Sequence, residues 1–211
     1  MAKILNLYAC LGGNRYKWGD EHEITAVELD PEAARLYQER FPNDQVIVAD
    51  AHQYLLDHYK GYDFIWSSPP CPTHSRARFA RRESTTPEYP NMMLYQEIVF
   101  LQHWFDGKWV VENVIPYYEP LILAQKRGRH LYWCNFTLPY ELNERKHSIM
   151  ESKDEVKKWC EFHDYNFYNY KGKQSIQKIA RNLVDYEAGL TIFNTAMGII
   201  TKSNTKQLEL L

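Results

Sequence analysis

The sequence predicts an α/β fold: a mixed, mostly parallel sheet with helices on both faces. Three observations carry that prediction. Short β-branched and aromatic runs of strand length recur through the first two-thirds of the chain. Helical stretches separate them, and cap and turn residues mark the joins.

Taken in order, residues 3–9 (KILNLYA) read as a first strand, followed by Gly12-Gly13 and a helical stretch. Residues 24–29 (ITAVEL) form a second strand. Asp30 is placed to cap the next helix, with Pro31 at its first position, and that helix runs to Phe41 before Pro42-Asn43. Residues 45–49 (QVIVA) and 63–67 (DFIWS) are the third and fourth strands, the latter stopped by Pro69-Pro70. Met93, Leu94, Ile98, Leu101 and Phe105 repeat at helical spacing, and residues 108–111 make a fifth strand. Beyond Asn135 the rhythm is lost. Residues 136–185 are polar and Tyr-rich and yield no assigned elements, and a last helical pattern covers residues 186–200.

At 211 residues the chain has room for one ordinary domain with at most a small appendage. Its 45% hydrophobic and 25% charged residues exclude disorder, and no apolar run approaches the length of a membrane span. The N-terminus does not read as a signal peptide. Cys10, Cys71, Cys134 and Cys160 form no C-x-x-C pair, so reduced thiols in a cytoplasm are expected. A net charge of −2 argues against nucleic-acid binding by bulk charge, but not against a local basic groove. Sixteen tyrosines are many; they read as core-filling rings or as a stacking surface for bases.

Ligands of parallel sheets bind at the carboxyl ends of the strands. There, Gly12-Gly13 allows close backbone approach, although the full G-x-G-x-x-G is absent. Glu28 and Asp50 end successive strands and suit a nucleoside without a pyrophosphate; helix capping by Asp30 and Asp50 is the alternative. After the fourth strand, Pro69, Pro70 and Pro72 hold Cys71 in a stiff loop, as a nucleophile requires. Glu112 follows the fifth strand as an acid/base candidate.

This ordered set resembles the DNA cytosine-5 methyltransferases. LYACLGG is similar to their S-adenosylmethionine loop, AVELD to their ribose contact, and VADA to their adenine contact. SSPPCPTHS is similar to their nucleophile motif, VVENV to their Glu-Asn-Val motif, and QKRGR to their Gln-x-Arg-x-Arg motif. The resemblance implies the class I S-adenosylmethionine-dependent methyltransferase fold and methylation of cytosine C5 in double-stranded DNA. It implies that Cys71 adds to C6 of a flipped-out base, that Glu112 holds the N3/N4 edge, and that Arg127 and Arg129 contact the O2 side and lower the thiol's pKa. It assigns the cofactor to Tyr8, Leu11, Gly12, Gly13, Glu28, Leu29, Asp50, Ala51 and Pro69, with Asn194 and Thr195 from a looser last motif. It assigns DNA contacts to Ser75, Arg76, Arg78, Arg81, Arg82 and Asn113, the basic run resembling the family's loop that closes over DNA.

The chain departs from the family at Tyr8, Cys10 and Pro72, where Phe, Gly and Gln are usual. It is also short where the family carries a target-recognition domain. The expected division is a catalytic region over residues 1–134, a short recognition-like insertion over 135–187 and a returning C-terminal helix over 188–211. Short or relaxed sequence specificity follows, with a homodimer or protein partner compensating. Compact members of the family are common in phages, so a modification role in a prokaryotic or phage-infected cell is expected. Methylation of tRNA and a catalytically silent nucleic-acid binder are the alternatives. A zinc site from Cys71-x-x-His74 and Cys160-x-x-His163 would consume the nucleophile, so no metal is expected.

Overall fold

The computed structural model describes residues 1–150 and 152–199. Its frame is a seven-stranded sheet: β1 (Lys3–Leu7), β2 (Glu23–Glu28), β3 (Gln45–Val48), β4 (Phe64–Ser67), β5 (Lys108–Val114), β6 (Gln125–Arg127) and β7 (His130–Cys134). The spatial order is β3-β2-β1-β4-β5-β7-β6. The first five strands are parallel, and β7 runs antiparallel between β5 and β6. This is the predicted mixed, mostly parallel sheet. β6 and β7 were not legible beforehand, because β6 is three polar residues at an edge.

Strand alternation distributes the apolar side chains to two faces. On one face Leu5, Leu7, Val27, Ile65 and Val111 pack under α2 (Ala51–His58) and α4 (Met93–Trp104). On the other, Ile4, Phe64, Trp66 and Val110 meet Trp18 and α7 (Tyr186–Ala196). α1 (Pro31–Arg40) covers the same side through Tyr37, packed on Ala26. Asp30 caps α1 as expected, accepting from the Glu32 amide at 3.0 Å, and Asp50 caps α2 through the Gln53 amide at 3.0 Å. Both capping roles are therefore real, and for Asp50 only one carboxylate oxygen is used.

Three expectations change. Residues after Gly12-Gly13 form turns, not a helix. Arg15 explains this: its guanidinium is buried against Asp44, with nitrogen–oxygen distances of 2.9 and 3.0 Å, and pins the turn to the start of β3. Second, β5 extends through Glu112 and Asn113, so these residues lie within a strand that β7 pairs on one side. Third, residues 136–185 are not structureless. They hold α5 (Glu155–His163), a 3₁₀ turn (Phe167–Asn169) and α6 (Ile176–Asn182). Trp159, Phe167, Tyr170 and Ile179 pack on Leu11, Ala33 and Leu36, joining this segment to α1. α7 begins at Tyr186 as read but ends at Ala196; residues 200–211 lie outside the described residues.

Candidate active site

The carboxyl ends of β1, β2, β4 and β5 open into one cavity of about 1780 Å³. Tyr8, Gly13, Glu28, Leu29, Asp50, Ala51 and Pro69 line one part of it, and Cys71, Glu112, Arg127 and Arg129 another. The two groups of predicted residues therefore share a continuous space.

At the first group, the Glu28 carboxylate accepts the backbone N–H groups of Cys10 and Asp30, each at 2.8 Å. These bonds fix its orientation, while burial pushes its pKa up. A carboxylate has further acceptor sites for ribose hydroxyls. Leu29 stays 65% exposed at the cavity wall, an apolar surface offered to the cavity. Two carboxylates, an exposed leucine and the backbone of Gly13 fit the nucleoside of S-adenosylmethionine.

Not every predicted residue reaches the cavity. Leu11 is fully buried against α1 and α6 residues. Gly12, at φ +70°, is required by packing: a Cβ there would lie 2.4 Å from the Phe41 ring. Asn194 and Thr195 lie on α7 away from the lining, and the Thr195 hydroxyl donates to the Thr191 carbonyl at 2.7 Å. Conversely, Asn6 and Asn14 line the cavity and were missed. The Asn14 side-chain N–H donates a hydrogen bond to Asn6 Oδ1 at 2.8 Å, and a lone Asn inside the apolar KILNL run was the available signal.

The loop that carries Cys71 is braced by hydrogen bonds. The Asn113 amide donates to the Pro69 carbonyl at 2.9 Å, and the Cys71 carbonyl accepts the His74 and Ser75 N–H groups at 3.0 and 3.1 Å. The Thr73 hydroxyl accepts the Asn91 N–H at 2.9 Å. Asn113 is thus buried and borders the cavity with its amide N–H committed to the loop. Burial pushes the Cys71 thiol up, the Glu112 carboxylate adds to that rise, and Lys178 of α6 opposes it. The cation whose charge favours the thiolate is thus Lys178, which lines the same cavity, where Arg127 and Arg129 were expected. Arg127 donates to the carbonyls of Pro139, Lys126 and Leu138, bracing the chain after β7. Arg129 is exposed at the cavity and makes no ion pair among the described residues.

Ser75 lines the cavity and caps α3 (Arg76–Ala80), accepting the Ala77 N–H at 3.2 Å. Of the basic run, Arg76 donates to the Pro116 carbonyl at 3.0 Å, and Arg78 pairs with Glu88 at 2.9 Å. Arg81 and Arg82 remain exposed without ion pairs among the described residues. The Tyr-rich segment also divides: Phe167 and Tyr170 are buried, whereas Tyr140 is 81% exposed at the cavity. Among the described residues no three His, Cys, Asp or Glu side chains converge as metal ligands. No helix among them is long and apolar enough to cross a membrane.

This sheet order, with its carboxylate-tipped strands around one cavity, defines a class I S-adenosylmethionine-dependent methyltransferase. The family model described as C-5 cytosine-specific DNA methylase matches residues 2–115, and the chain belongs to that family. It is thus a DNA cytosine-5 methyltransferase with S-adenosylmethionine as methyl donor. Among solved structures it is similar to a Spodoptera frugiperda DNMT2 mutant, at 21% identity and a TM-score of 0.44, covering 70% of this chain and 54% of that one. It is similar to NSun6 from Pyrococcus horikoshii with SFG, at 19% identity and a TM-score of 0.42, covering 56% and 34%. It is also similar to the Entamoeba histolytica methyltransferase EhMeth, at 11% identity and a TM-score of 0.42, covering 71% and 58%. A search of curated proteins gives no match.

Proposed function

We propose that the enzyme methylates C5 of cytosine through a covalent Cys71–C6 adduct on a base flipped out of duplex DNA. The observation that carries this reading is the placement of Cys71 and Glu112 in one cavity with Glu28 and Asp50. Cytosine C5 is a poor nucleophile, and a stacked base cannot enter the cavity. Addition of the Cys71 thiolate to C6 breaks the C5=C6 double bond and makes C5 enamine-like. Glu112 holds the N3/N4 edge as charge develops on the ring. The cofactor supplies an electrophilic methyl group. After transfer, loss of the C5 proton restores the double bond and expels the thiolate, which ends the cycle with Cys71 free.

The cofactor residues in this reading are Tyr8, Gly13, Glu28, Leu29, Asp50, Ala51 and Pro69. Arg81 and Arg82, exposed without ion pairs among the described residues, are the loop cations for DNA phosphates. Residues 135–187 bring Tyr140 and Lys178 to the cavity while packing on α1, which supports a small recognition role and short or relaxed specificity. A dimer or protein partner would add the missing contacts, and light scattering with and without DNA tests it; a monomer throughout sinks the dimer.

The test is covalent trapping. Fluorine at C5 prevents loss of a proton there. Duplex DNA carrying 5-fluorocytosine should therefore form a denaturation-resistant complex with the enzyme and S-adenosylmethionine. Cys71→Ser should form none. A complex that persists in Cys71→Ser, or none with the wild type, overturns the adduct. Transfer of labelled methyl to tRNA but not DNA overturns the substrate. Bisulfite sequencing tests specificity; methylation confined to one site of six or more bases refutes the relaxed reading.

A further inference from the structure

Glu97 lies on the core face of α4, among Leu94, Ile98 and Leu101, and is 1% exposed. A leucine would satisfy that position by packing, and a buried carboxylate there is costly unless hydrogen-bonded. Three side chains from three other elements meet it. The Tyr8 hydroxyl donates to Oε1 at 2.5 Å, the Ser67 hydroxyl donates to Oε2 at 2.5 Å, and His52 Nδ1 lies 3.0 Å from Oε1. A carboxylate accepts only, so the His52 proton belongs on Nδ1.

The three partners differ in what they face. Ser67 is fully buried at the end of β4 and anchors the acid. Tyr8 and His52 line the cavity beside Asp50 and Ala51. Tyr8 sits at φ +57°, a region disfavoured for a side-chain-bearing residue, so its hydroxyl bond opposes local backbone strain. Where the family usually carries Phe, this chain has the hydroxyl that Glu97 binds.

We propose that Glu97 is a positioning residue for the cofactor: from beneath the sheet's edge it holds Tyr8 and His52 in the geometry that the cofactor meets. This rests on the reading that the Glu28–Asp50 part of the cavity is the cofactor's. Glu97 touches neither cofactor nor base and acts through its two partners. Its bond raises the His52 pKa, with Asp50 and Gln96 acting in the same direction.

The test is calorimetric binding of S-adenosylhomocysteine, without DNA, to the wild type, Tyr8→Phe, His52→Gln, Glu97→Gln and the Tyr8→Phe/Glu97→Gln pair. Glu97→Gln should weaken binding about tenfold, the scale of one charge-assisted hydrogen bond. Tyr8→Phe should weaken it less, and the double variant should fall short of the sum. The His52 imidazole titration, read by NMR, should move down in Glu97→Gln. In methyl transfer, the cofactor KM should rise by more than kcat falls. Unchanged affinity and unchanged His52 titration in a folded Glu97→Gln overturn the proposal. If that variant fails to fold, unchanged affinity in both Tyr8→Phe and His52→Gln overturns it. No binding by the wild type would instead overturn the cofactor reading on which it rests.

Discussion

The side-chain amide of Asn113 donates to the backbone carbonyl of Pro69 at 2.9 Å, tying β5 to the loop that carries Cys71. The Asn113 carbonyl oxygen is also used, accepting the Val114 N–H at 2.9 Å. Asn113→Ala leaves the buried Pro69 carbonyl unpaired, at about 1–3 kcal/mol of stability. A nucleophile displaced by a fraction of an ångström also loses rate. Methyl transfer should fall at least about tenfold with cofactor affinity nearly unchanged. Thermal melts, cofactor titration and turnover on one preparation check this; a rate equal to wild type removes Asn113 from the loop's support.

The titration of Cys71 is set by opposing neighbours. Burial and the Glu112 carboxylate both raise the thiol, and Lys178 lowers it. Removing the negative charge should therefore ease thiolate formation, and removing the positive charge should hinder it. Alkylation by iodoacetamide at fixed neutral pH should accelerate in Glu112→Gln and slow in Lys178→Met. The pH midpoint of the alkylation rate should move down in the first and up in the second. Identical profiles for Lys178→Met and wild type would show that α6 has no electrostatic part in the site.

Arg76 and Arg78 are tied to a carbonyl and a carboxylate within the protein, while Arg81 and Arg82 are exposed without ion pairs among the described residues, Arg82 lying over the Phe79 ring at 5.1 Å. Neutralising the second pair should reduce the slope of log K against log salt for duplex binding by about one per contact. Arg76→Gln, which loses the bond to Pro116, should alter turnover more than the slope. Fluorescence anisotropy over a salt series measures both. An unchanged slope in Arg81→Gln/Arg82→Gln places the phosphate contacts elsewhere.

His163 gives the small segment a pH dependence. Its ring is fully buried, stacked on Trp159 with centroids 5.7 Å apart, and neither ring nitrogen has a hydrogen-bond partner among the described residues. Burial lowers its pKa to about 3. The unfolded chain binds that proton near the ordinary histidine value, so stability is lost as pH falls through the interval between the two values. The loss from this group should approach about 1 kcal/mol per pH unit between roughly pH 6 and pH 4. His163→Phe should flatten that part of the profile. Parallel urea titrations at each pH compare the two; equal slopes would assign the acid sensitivity to other groups.

The functional motifs were legible because the chemistry demands them locally. A proline-clamped Cys71, an acid at the tip of β2 and a strand–helix rhythm are short-range features, each visible in a window of a few residues. The positions of β1 through β4 followed, to within two residues at each end, for the same reason. Asp50 was read both as a cap and as a nucleoside contact. Its N-cap bond occupies one oxygen while the residue lines the cavity, so the two readings coexist.

What the sequence by itself determined is the family and the parallel sheet, and it singled out Cys71, Glu112, Glu28 and Asp50, which the fold brings to one cavity. What only the tertiary structure decided is which side chains are free to act. Arg127 looks wholly available in the linear motif, yet its Nε and Nη2 donate to carbonyls of residues 139 and 138 that no local pattern could place beside it. Lys178 looks like one lysine among many until α6 packs on α1 and brings it to the cavity that Cys71 lines, where its charge lowers the thiol's pKa. Glu97 reads as a polar interruption of a helix until Tyr8, Ser67 and His52 converge on it. Residue type sets what a group can do chemically. Burial and long-range hydrogen bonding decide whether that capacity is spent inside the protein or offered to a ligand, and both depend on partners distant in the chain.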